Sequence, residues 1–514
     1  MLAKAPQEPQ ETELKFFLGA GALEALAEHP VTATPAQHSR LRSIYYDTPE
    51  HDLRNRGLSL RVRECDARFI QTLKSRSEGS MLVRGEWESE VSGCTPELAA
   101  LESSPMGSEI MSLGDRLTPV FITVLDRAVH RWSDGVSSVE ISVDTGEVVA
   151  PDGSHPIQEL ELELCSGDPA AVFELARSLS ASVAMTPSFR SKAERGYRLA
   201  GHEGAAAIRA EDAAISRRTP AAEAFRRIVR TSLRQIAGNA ELFTAARSPR
   251  SLHQARVGLR RLRAALTAFK PVIDPGRAAG VRLDVAWLAR ELELARDVDV
   301  FAGRLFPTDD DGPPGDPELS ALHAQMLVAQ AQADERAGVA LRSERYSKFL
   351  LDVAAWVELP PPADMDPARV ALGAMPVATY ARGRLDRLGR RAHKLAARYA
   401  DLDAETRHGL RLRIKTLRYA AEFFASAFKS ATAKGRNYLE ATKALQDRLG
   451  ELNDLAAARR TALKIVGPRA SALAFTAGKL VATDAAREPV LAHNAEKAVR
   501  RYLRARPYWR GKAG

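Results

Sequence analysis

Glu11-Thr12-Glu13-Leu14-Lys15 and, much later in the chain, Leu160-Glu161-Leu162-Glu163-Leu164 are runs in which every second residue is charged. Successive side chains of a β-strand point to opposite faces, so each run puts its charges on one face and its apolar residues on the other. LSLRVR (58–63), FIQTLK (69–74), VRGEWESEV (83–91) and SVEISVD (138–144) repeat the pattern, with Gly, Pro and Asp between them. Arg61 shares a face with Arg63, Thr72 with Lys74, and Glu161 with Glu159 and Glu163. An exposed strand face explains any one of these runs. Six of them, sorted into carboxylate and basic stretches, predict a barrel or sandwich with a charged interior, one wall basic and the other acidic. Such an interior suits a phosphate chain with a divalent cation. Guanidinium and ammonium groups neutralise phosphoryl oxygens, and hard carboxylate oxygens hold Mg²⁺ or Mn²⁺.

The pattern stops near Tyr197. Residues 1–200 carry 20 Lys+Arg against 30 Asp+Glu, whereas the whole chain of 514 residues has a formal net charge of +9. The excess of positive charge therefore lies in the second half, which predicts two units with different roles, the later one drawn to polyanions. Residues 201–219 read as a linker. From about 220 the chain is rich in Ala, Leu and Arg at helical spacing, interrupted at 306–318 and 358–367 by Pro- and Gly-containing loops. The expected architecture is thus α+β and multidomain, with an all-β first half and an all-α second half. Cys65, Cys94 and Cys165 form no CxxC pair and are read as reduced thiols. No run has the ~18 apolar residues of a membrane span, and the N-terminus has no signal-like apolar core, so a cytoplasmic protein with no membrane partner is expected.

The helical half contains a repeat. His253, Arg256, Arg260 and Arg263 stand at offsets 0, 3, 7 and 10, and His408, Arg411, Lys415 and Arg418 stand at the same offsets. At ~100° per residue these fall at about 0°, −60°, −20° and −80°, one stripe of a helix. A single basic stripe is usually a solvated face. Two matched copies are different, because like charges one turn apart weaken a helix and an anionic partner would relieve them. LARDVDVF (294–301) and LGELNDLA (449–456) follow the two stripes, and Asp297, Asp299 and Asp454 are candidates to orient the cations or to cap helices.

The first half resembles the CYTH, or triphosphate tunnel metalloenzyme, superfamily through ExExK at 11–15, YYDTP (45–49), LSLRVR, TLK, EWE, VEISVDTG (139–146), IQELELEL (157–164) and SKAERGY (191–197). The resemblance implies an eight-stranded antiparallel tunnel over residues 8–200. It implies that Lys15, Arg61, Arg63, Lys74, Arg127 and Lys192 grip phosphates, with Arg131 the rival of Arg127. Glu11, Glu13, Glu161 and Glu163 would hold one or two Mg²⁺ or Mn²⁺ ions, with Glu11 and Glu13 at the catalytic step. The second half, 220–510, resembles the CHAD domain through LHQARVGLRRLR (252–263), ARDVDVF (295–301), HGLRLRIKTLRY (408–419) and LQDRLGELND (445–454). That resemblance implies two pseudo-symmetric four-helix bundles around a basic groove that binds long-chain inorganic polyphosphate, with association to polyphosphate granules.

The expected activity is hydrolysis of tripolyphosphate to diphosphate and phosphate. Thiamine triphosphate and ATP stay open as tunnel substrates, and a non-catalytic polyphosphate-binding protein stays open as a different class. Nucleic acid is the disfavoured polyanion, because the stripes carry no interleaved aromatics for base stacking.

Overall fold

In the computed structural model, the described residues are 10–510 except 66, 76–81, 103, 105, 202–205, 306–316, 429–432, 467–477, 479–481 and 483–485. Nine strands occur in order: β1 (Gln10–Leu18), β2 (Gln37–Asp47), β3 (Leu58–Cys65), β4 (Arg68–Ser75), β5 (Val83–Val91), β6 (Thr118–Ser133), β7 (Ser138–Ala150), β8 (Gly153–Ser166) and β9 (Met185–Ser188). The helices between and after them are α1 (Ala22–Ala27), α2 (Asp52–Asn55), α3 (Gly107–Met111), α4 (Ala170–Ser180) and α5 (Lys192–Ala200). The helical half continues with α6 (Ala221–Ala246), α7 (Pro249–Ala268), α8 (Pro275–Glu291), α9 (Glu293–Leu305), α10 (Pro317–Leu341) and α11 (Glu344–Glu358). It ends with α12 (Pro367–Ala374), α13 (Val377–Ala396), α14 (Ala404–Phe423), α15 (Ala433–Val466) and α16 (Glu488–Arg504). Two compact units result, Met1–Ile208 with Arg342–Pro361, and Arg209–Leu341 with Pro362–Gly514. Residues 342–361, inside the range read from sequence as the helical half, thus pack with the first unit. No helix among the described residues is long and apolar enough to cross a membrane.

The sheet of the first unit runs β5-β4-β3-β2-β6-β7-β8-β1-β9, and β1 also pairs with β5. The β1–β5 pairing closes strands β1 to β8 into a ring, so the sheet has a true inside. The strand count differs from the expected eight. β1 leaves β5 after Thr12, and its freed edge is taken from Lys15 to Leu18 by the short β9. β9 contains Pro187 and spans four residues, too few for alternation to show in sequence.

Alternation determines what the ring encloses. Ile44, Tyr46, Leu58, Leu60, Val62 and Leu73 point outward and form one core with Leu53 of α2 and Ile110 of α3. The opposite faces point inward and carry the charges. At one end the interior turns apolar, where Leu41, Tyr45, Phe121, Leu125, Val148 and Ile157 receive Ala193 and Tyr197 of α5. This helix starts on a capping box, Ser191 Oγ accepting from Glu194 N while Glu194 accepts from Ser191 N. Gly196 lets it seat, since a Cβ there would meet the Phe121 ring at 2.1 Å. On the outer side α11 packs on α4 and β9, with Thr186 Oγ1 3.1 Å from Ser347 Oγ and Arg177 donating to Asp352 at 3.3 Å.

The second unit is helical throughout its described residues. Phe225, Phe269, Tyr380 and Phe424 join α6, α7, α13 and the end of α14 in one aromatic cluster, Phe269 and Tyr380 stacking at 5.5 Å. α7 and α14, which carry the two basic stripes, pack against each other. Side-chain caps set the helix starts: Ser248 before α7, Asp274 before α8 and Asp403 before α14 each accept from a backbone N–H of the first turn.

Candidate functional site

The register places the inward charges. Lys15 stands opposite Glu161 and Glu13 opposite Glu163 across β1 and β8, Ser142 opposite Glu161 and Asp144 opposite Glu159 across β7 and β8. Arg127 faces Asp144 across β6 and β7, Arg61 faces Thr72 across β3 and β4, and Lys74 faces Glu86 across β4 and β5. In the ring, β3 with Arg61 and Arg63 is four strands from β8 with Glu161 and Glu163, so the basic and acidic walls oppose each other.

Most of these charges are paired. Lys15 Nζ lies 2.8 Å from Glu13 Oε2 and donates to Glu161 Oε1 at 2.6 Å. Lys192, from the first turn of α5, sits 2.8 Å from Asp144, 2.9 Å from Glu159 and 2.7 Å from Glu161. Arg195, one turn on, pairs with Glu159. Arg127 donates from Nε and Nη2 to Asp144 at 2.7 and 2.6 Å and from Nη2 to Glu161 at 2.8 Å. Arg131, its rival, is exposed. Burial alone would raise the Glu161 carboxyl, but Lys15, Lys192 and Arg127 hold it well below the usual carboxylate range. Asp144 is lowered in the same way, against its burial, by Lys192 and Arg127. On the other wall Lys74 lies 3.0 Å and Arg61 3.8 Å from Glu86, and Thr72 donates to Glu88 at 2.9 Å.

Two groups are left incomplete, with opposite needs. Arg63 has no carboxylate in salt-bridge contact among the described residues, and its Nε donates to Ser43 Oγ at 3.4 Å. Burial, with Arg61 and Arg127 adding repulsion, pushes it down to about 10, so it keeps its charge at neutral pH without a counter-ion. Glu13 is 5% exposed, and its Oε1 is buried without a hydrogen-bond donor. Arg63 lacks a contacting anion, and Glu13, though paired with Lys15 through Oε2, keeps an Oε1 with no partner; a metal-bound phosphate chain would complete both. Glu13, Glu161 and Glu163 offer hard oxygens on neighbouring strands and fit Mg²⁺ or Mn²⁺ as ligands. No preassembled group of three such ligands exists among the described residues; the Lys15 ammonium stands between Glu13 and Glu161 instead. Glu11 lies on β1, but its side chain is outside the described residues.

Strand alternation does not reveal the part of the site that comes from a helix. It singles out neither Arg195 nor the Tyr45–Arg61 pair, although SKAERGY and YYDTP contain Arg195 and Tyr45. Tyr45 stacks on Phe121 at 4.5 Å, and its hydroxyl, hydrogen-bonded to Arg61, is lowered by Arg61 and Arg63 against the effect of burial. Asp47 of YYDTP is structural: fully buried, it accepts from Thr48 N, Leu53 N, Arg54 N and, at 2.9 Å, from Tyr197 Oη. It thereby starts α2 and anchors α5.

In the helical unit Lys415 of α14 lies within electrostatic reach of Arg256, Arg260 and Arg263 of α7 and of Arg411, so the two stripes meet. Burial and these neighbours push Lys415 down to about 7. His253 is pushed down to about 4 by burial, with Arg296, Arg260 and Arg256 adding, and is uncharged at neutral pH. Arg296, which the stripe spacing does not include, enters from α9 beside Asp299 and Asp454. Asp297 acts on Arg256 and Asp454 on Arg411, each opposing the lowering caused by burial. Arg260 keeps a buried Nε without a partner. The stripe ends diverge from this cluster. His408 is exposed and 3.3 Å from Asn453 Oδ1, and Arg418 is taken up by Gln446 at 2.8 Å, by Glu422 and by the Tyr419 ring.

A closed antiparallel sheet with a charged interior, followed by a helical unit with matched cationic helices, defines the class of protein. The CYTH domain model matches residues 9–197 and the CHAD domain model residues 227–463, and the chain belongs to both families, CYTH first. It is similar to the inorganic triphosphatase of Haemophilus influenzae, 29% identical over 195 residues, which are 37% of this chain and 55% of the relative. The chain thus matches little more than half the length of that curated relative. Among solved structures it is similar to the CHAD domain from the plant Ricinus communis, with 31% identity over 58% of this chain and 97% of that one, TM-score 0.49. It is also similar to a protein from Hippeastrum reported to have a dominant triphosphatase activity, with 24% identity over 36% of this chain and 95% of that one, TM-score 0.28.

Proposed function

We propose that the first unit is an Mg²⁺- or Mn²⁺-dependent inorganic triphosphatase and that the helical unit binds inorganic polyphosphate. The carrying observation is the complementary pair of unsatisfied groups inside one closed sheet, the Arg63 guanidinium without a counter-ion and the Glu13 oxygen without a donor. Arg61, Arg63 and Lys74 grip phosphoryl oxygens from the basic wall, with Lys15, Arg127 and Lys192 engaging the chain from the acidic side. Glu13, Glu161 and Glu163, with Glu11, hold the metal. When bound, the metal supplies Lewis-acid polarisation of the phosphoryl group and neutralises charge developing on the leaving oxygen. Water would attack the terminal phosphorus, the phosphoanhydride P–O bond would break, and diphosphate and phosphate would leave, with Glu13 accepting the proton of the water.

The helical unit is read as two pseudo-symmetric four-helix bundles whose matched helices α7 and α14 form the groove wall. Arg256, Arg260, Arg263, Arg411 and Lys415 hold the polyphosphate, with His253, His408 and Arg418 at the margins. The test is a substrate panel of tripolyphosphate, ATP and thiamine triphosphate with either metal. Preference for tripolyphosphate is expected, and preference for ATP with cyclic AMP as product overturns the reading.

A further inference from the structure

The helical unit carries a third run of cations outside the groove. Arg384, Arg387, Arg391 and Lys394 of α13 stand at offsets 0, 3, 7 and 10, the spacing of the two groove stripes. At ~100° per residue they fall on one strip of α13, which starts beside the buried Tyr380 and from Arg387 onward is turned away from the buried Leu385 and Ala392. Arg387, Arg391 and Lys394 are exposed. Arg384 is structural, because its Nε donates to Ala268 O at 2.9 Å and its Nη2 to Thr267 O, capping the negative end of α7. That role does not account for the other three. None of them has a carboxylate in salt-bridge contact among the described residues. The acid within α13, Asp386, accepts from Trp509 Nε1 at 2.9 Å and from Arg510 Nε at 2.7 Å. Unrelieved like charges one turn apart weaken a helix.

The third run begins where the α7 stripe ends. Thr267 lies four residues beyond Arg263 and falls at about −40° from His253, inside the stripe. Its Oγ1 donates to Arg263 O at 3.0 Å, and its carbonyl receives Arg384. Arg384 is lowered by burial, with the charges of Arg387 and Arg391 adding, so the three guanidinium groups are near neighbours.

We propose that the α13 face is an extension of the groove, a track on which a linear polyanion too long for the groove continues past the end of α7. The inference rests on the polyphosphate reading of the groove and adds a dependence on chain length. Each run spans ten residue steps and covers ~15 Å along its helix, so a short oligophosphate is satisfied by the groove alone. A long chain engages both segments, and the second engagement is intramolecular. The ligand class is long-chain inorganic polyphosphate.

The experiment uses the full chain with Arg387→Glu, Arg391→Glu and Lys394→Glu combined, and a parallel variant with all three replaced by Ala. Circular dichroism and a thermal melt check folding. Affinity is measured for long-chain polyphosphate and for an oligophosphate short enough for the groove, across a salt series. The track predicts at least about a tenfold loss for the long chain, a slope of log affinity against log salt shallower by about one per lost contact, and an unchanged oligophosphate affinity. Unchanged long-chain affinity and slope in a folded variant overturn the track. So does an equal loss for both chain lengths, which would mean only a longer-range field. The groove is tested separately with Arg260→Glu and Lys415→Glu. If the unaltered protein binds neither length, the groove reading itself fails.

Discussion

Lys15 bridges Glu13 and Glu161, two carboxylates on neighbouring strands, at 2.8 and 2.6 Å. Its ammonium occupies, between those two acids, the electrostatic position that a divalent cation would compete for. A metal held by those two carboxylates would have to displace Lys15, and a phosphate chain beside it would offer the ammonium a new partner, so the two proposed ligands would bind cooperatively.

Glu161→Ala removes a partner of Lys15, Lys192 and Arg127 together. Tripolyphosphate turnover is expected to fall on the order of a hundredfold or more, while polyphosphate binding by the helical unit persists. Phosphate release at the unaltered rate would remove this site from catalysis.

The proposed metal dependence has a readout other than turnover. With Mg²⁺ or Mn²⁺ at a hundredfold excess over its dissociation constant, the fold should gain about 2.7 kcal/mol. A rise in the melting temperature on metal addition would report it. Glu13→Gln, which keeps the shape but loses the charge at the unsatisfied oxygen, should lose most of that rise.

Arg63→Met tests whether the lone guanidinium is held for substrate. Arg63 is half-buried with no contacting carboxylate, so an apolar replacement breaks no ion pair and removes a charge that burial and its cationic neighbours disfavour. The variant should therefore melt no lower than the parent, while KM for tripolyphosphate rises at least about tenfold. A lower melting temperature would give Arg63 a structural role.

Lys415 would make the proposed polyphosphate binding pH-dependent. Its folded value of about 7 lies below the ~10.4 of an unfolded lysine. The free folded state thus resists protonation, and this group makes stability rise with pH between about 7 and ~10.4. A bound polyanion favours the charged form, so binding takes up a proton near and above pH 7 and weakens as pH rises further. Calorimetry in buffers of different ionisation enthalpy reads the proton uptake, and Lys415→Arg should flatten it.

The interior of the sheet was legible because a strand commits every second residue to one face. Glu161 and Arg63 could be placed on their walls from ELEL and RVR alone. Alternation says nothing of α5: Lys192 is named only through the SKAERGY resemblance and Arg195 not at all, because both reach the site through a helix whose docking depends on Gly196 clearing Phe121. Nor does alternation reveal β9, whose four residues are held by the edge that β1 exposes after leaving β5. In the helical unit the repeat spacing identified α7 and α14. Arg296 stayed hidden because ARDVDVF reads as an acidic segment, and only the approach of α9 brings its cation to the cluster.

Gly196→Ala probes that docking directly. The added methyl would meet the Phe121 ring at 2.1 Å, and the strain should cost about 1–3 kcal/mol. A lower melting temperature accompanied by loss of turnover is expected, because Lys192 and Arg195 shift with the helix.

The packing of α11 on α4 and β9 bears on how such a chain can be divided. Residues 342–361 lie in the middle of the stretch matched by the CHAD family, yet they finish the outer surface of the sheet unit. A cut near residue 208 would leave Thr186 without its hydroxyl partner Ser347, and α4 and β9 without their cover. The sheet unit is therefore not a self-contained cassette. A sheet unit joined to a foreign C-terminal partner would need a substitute for one internal helix to cover α4 and β9.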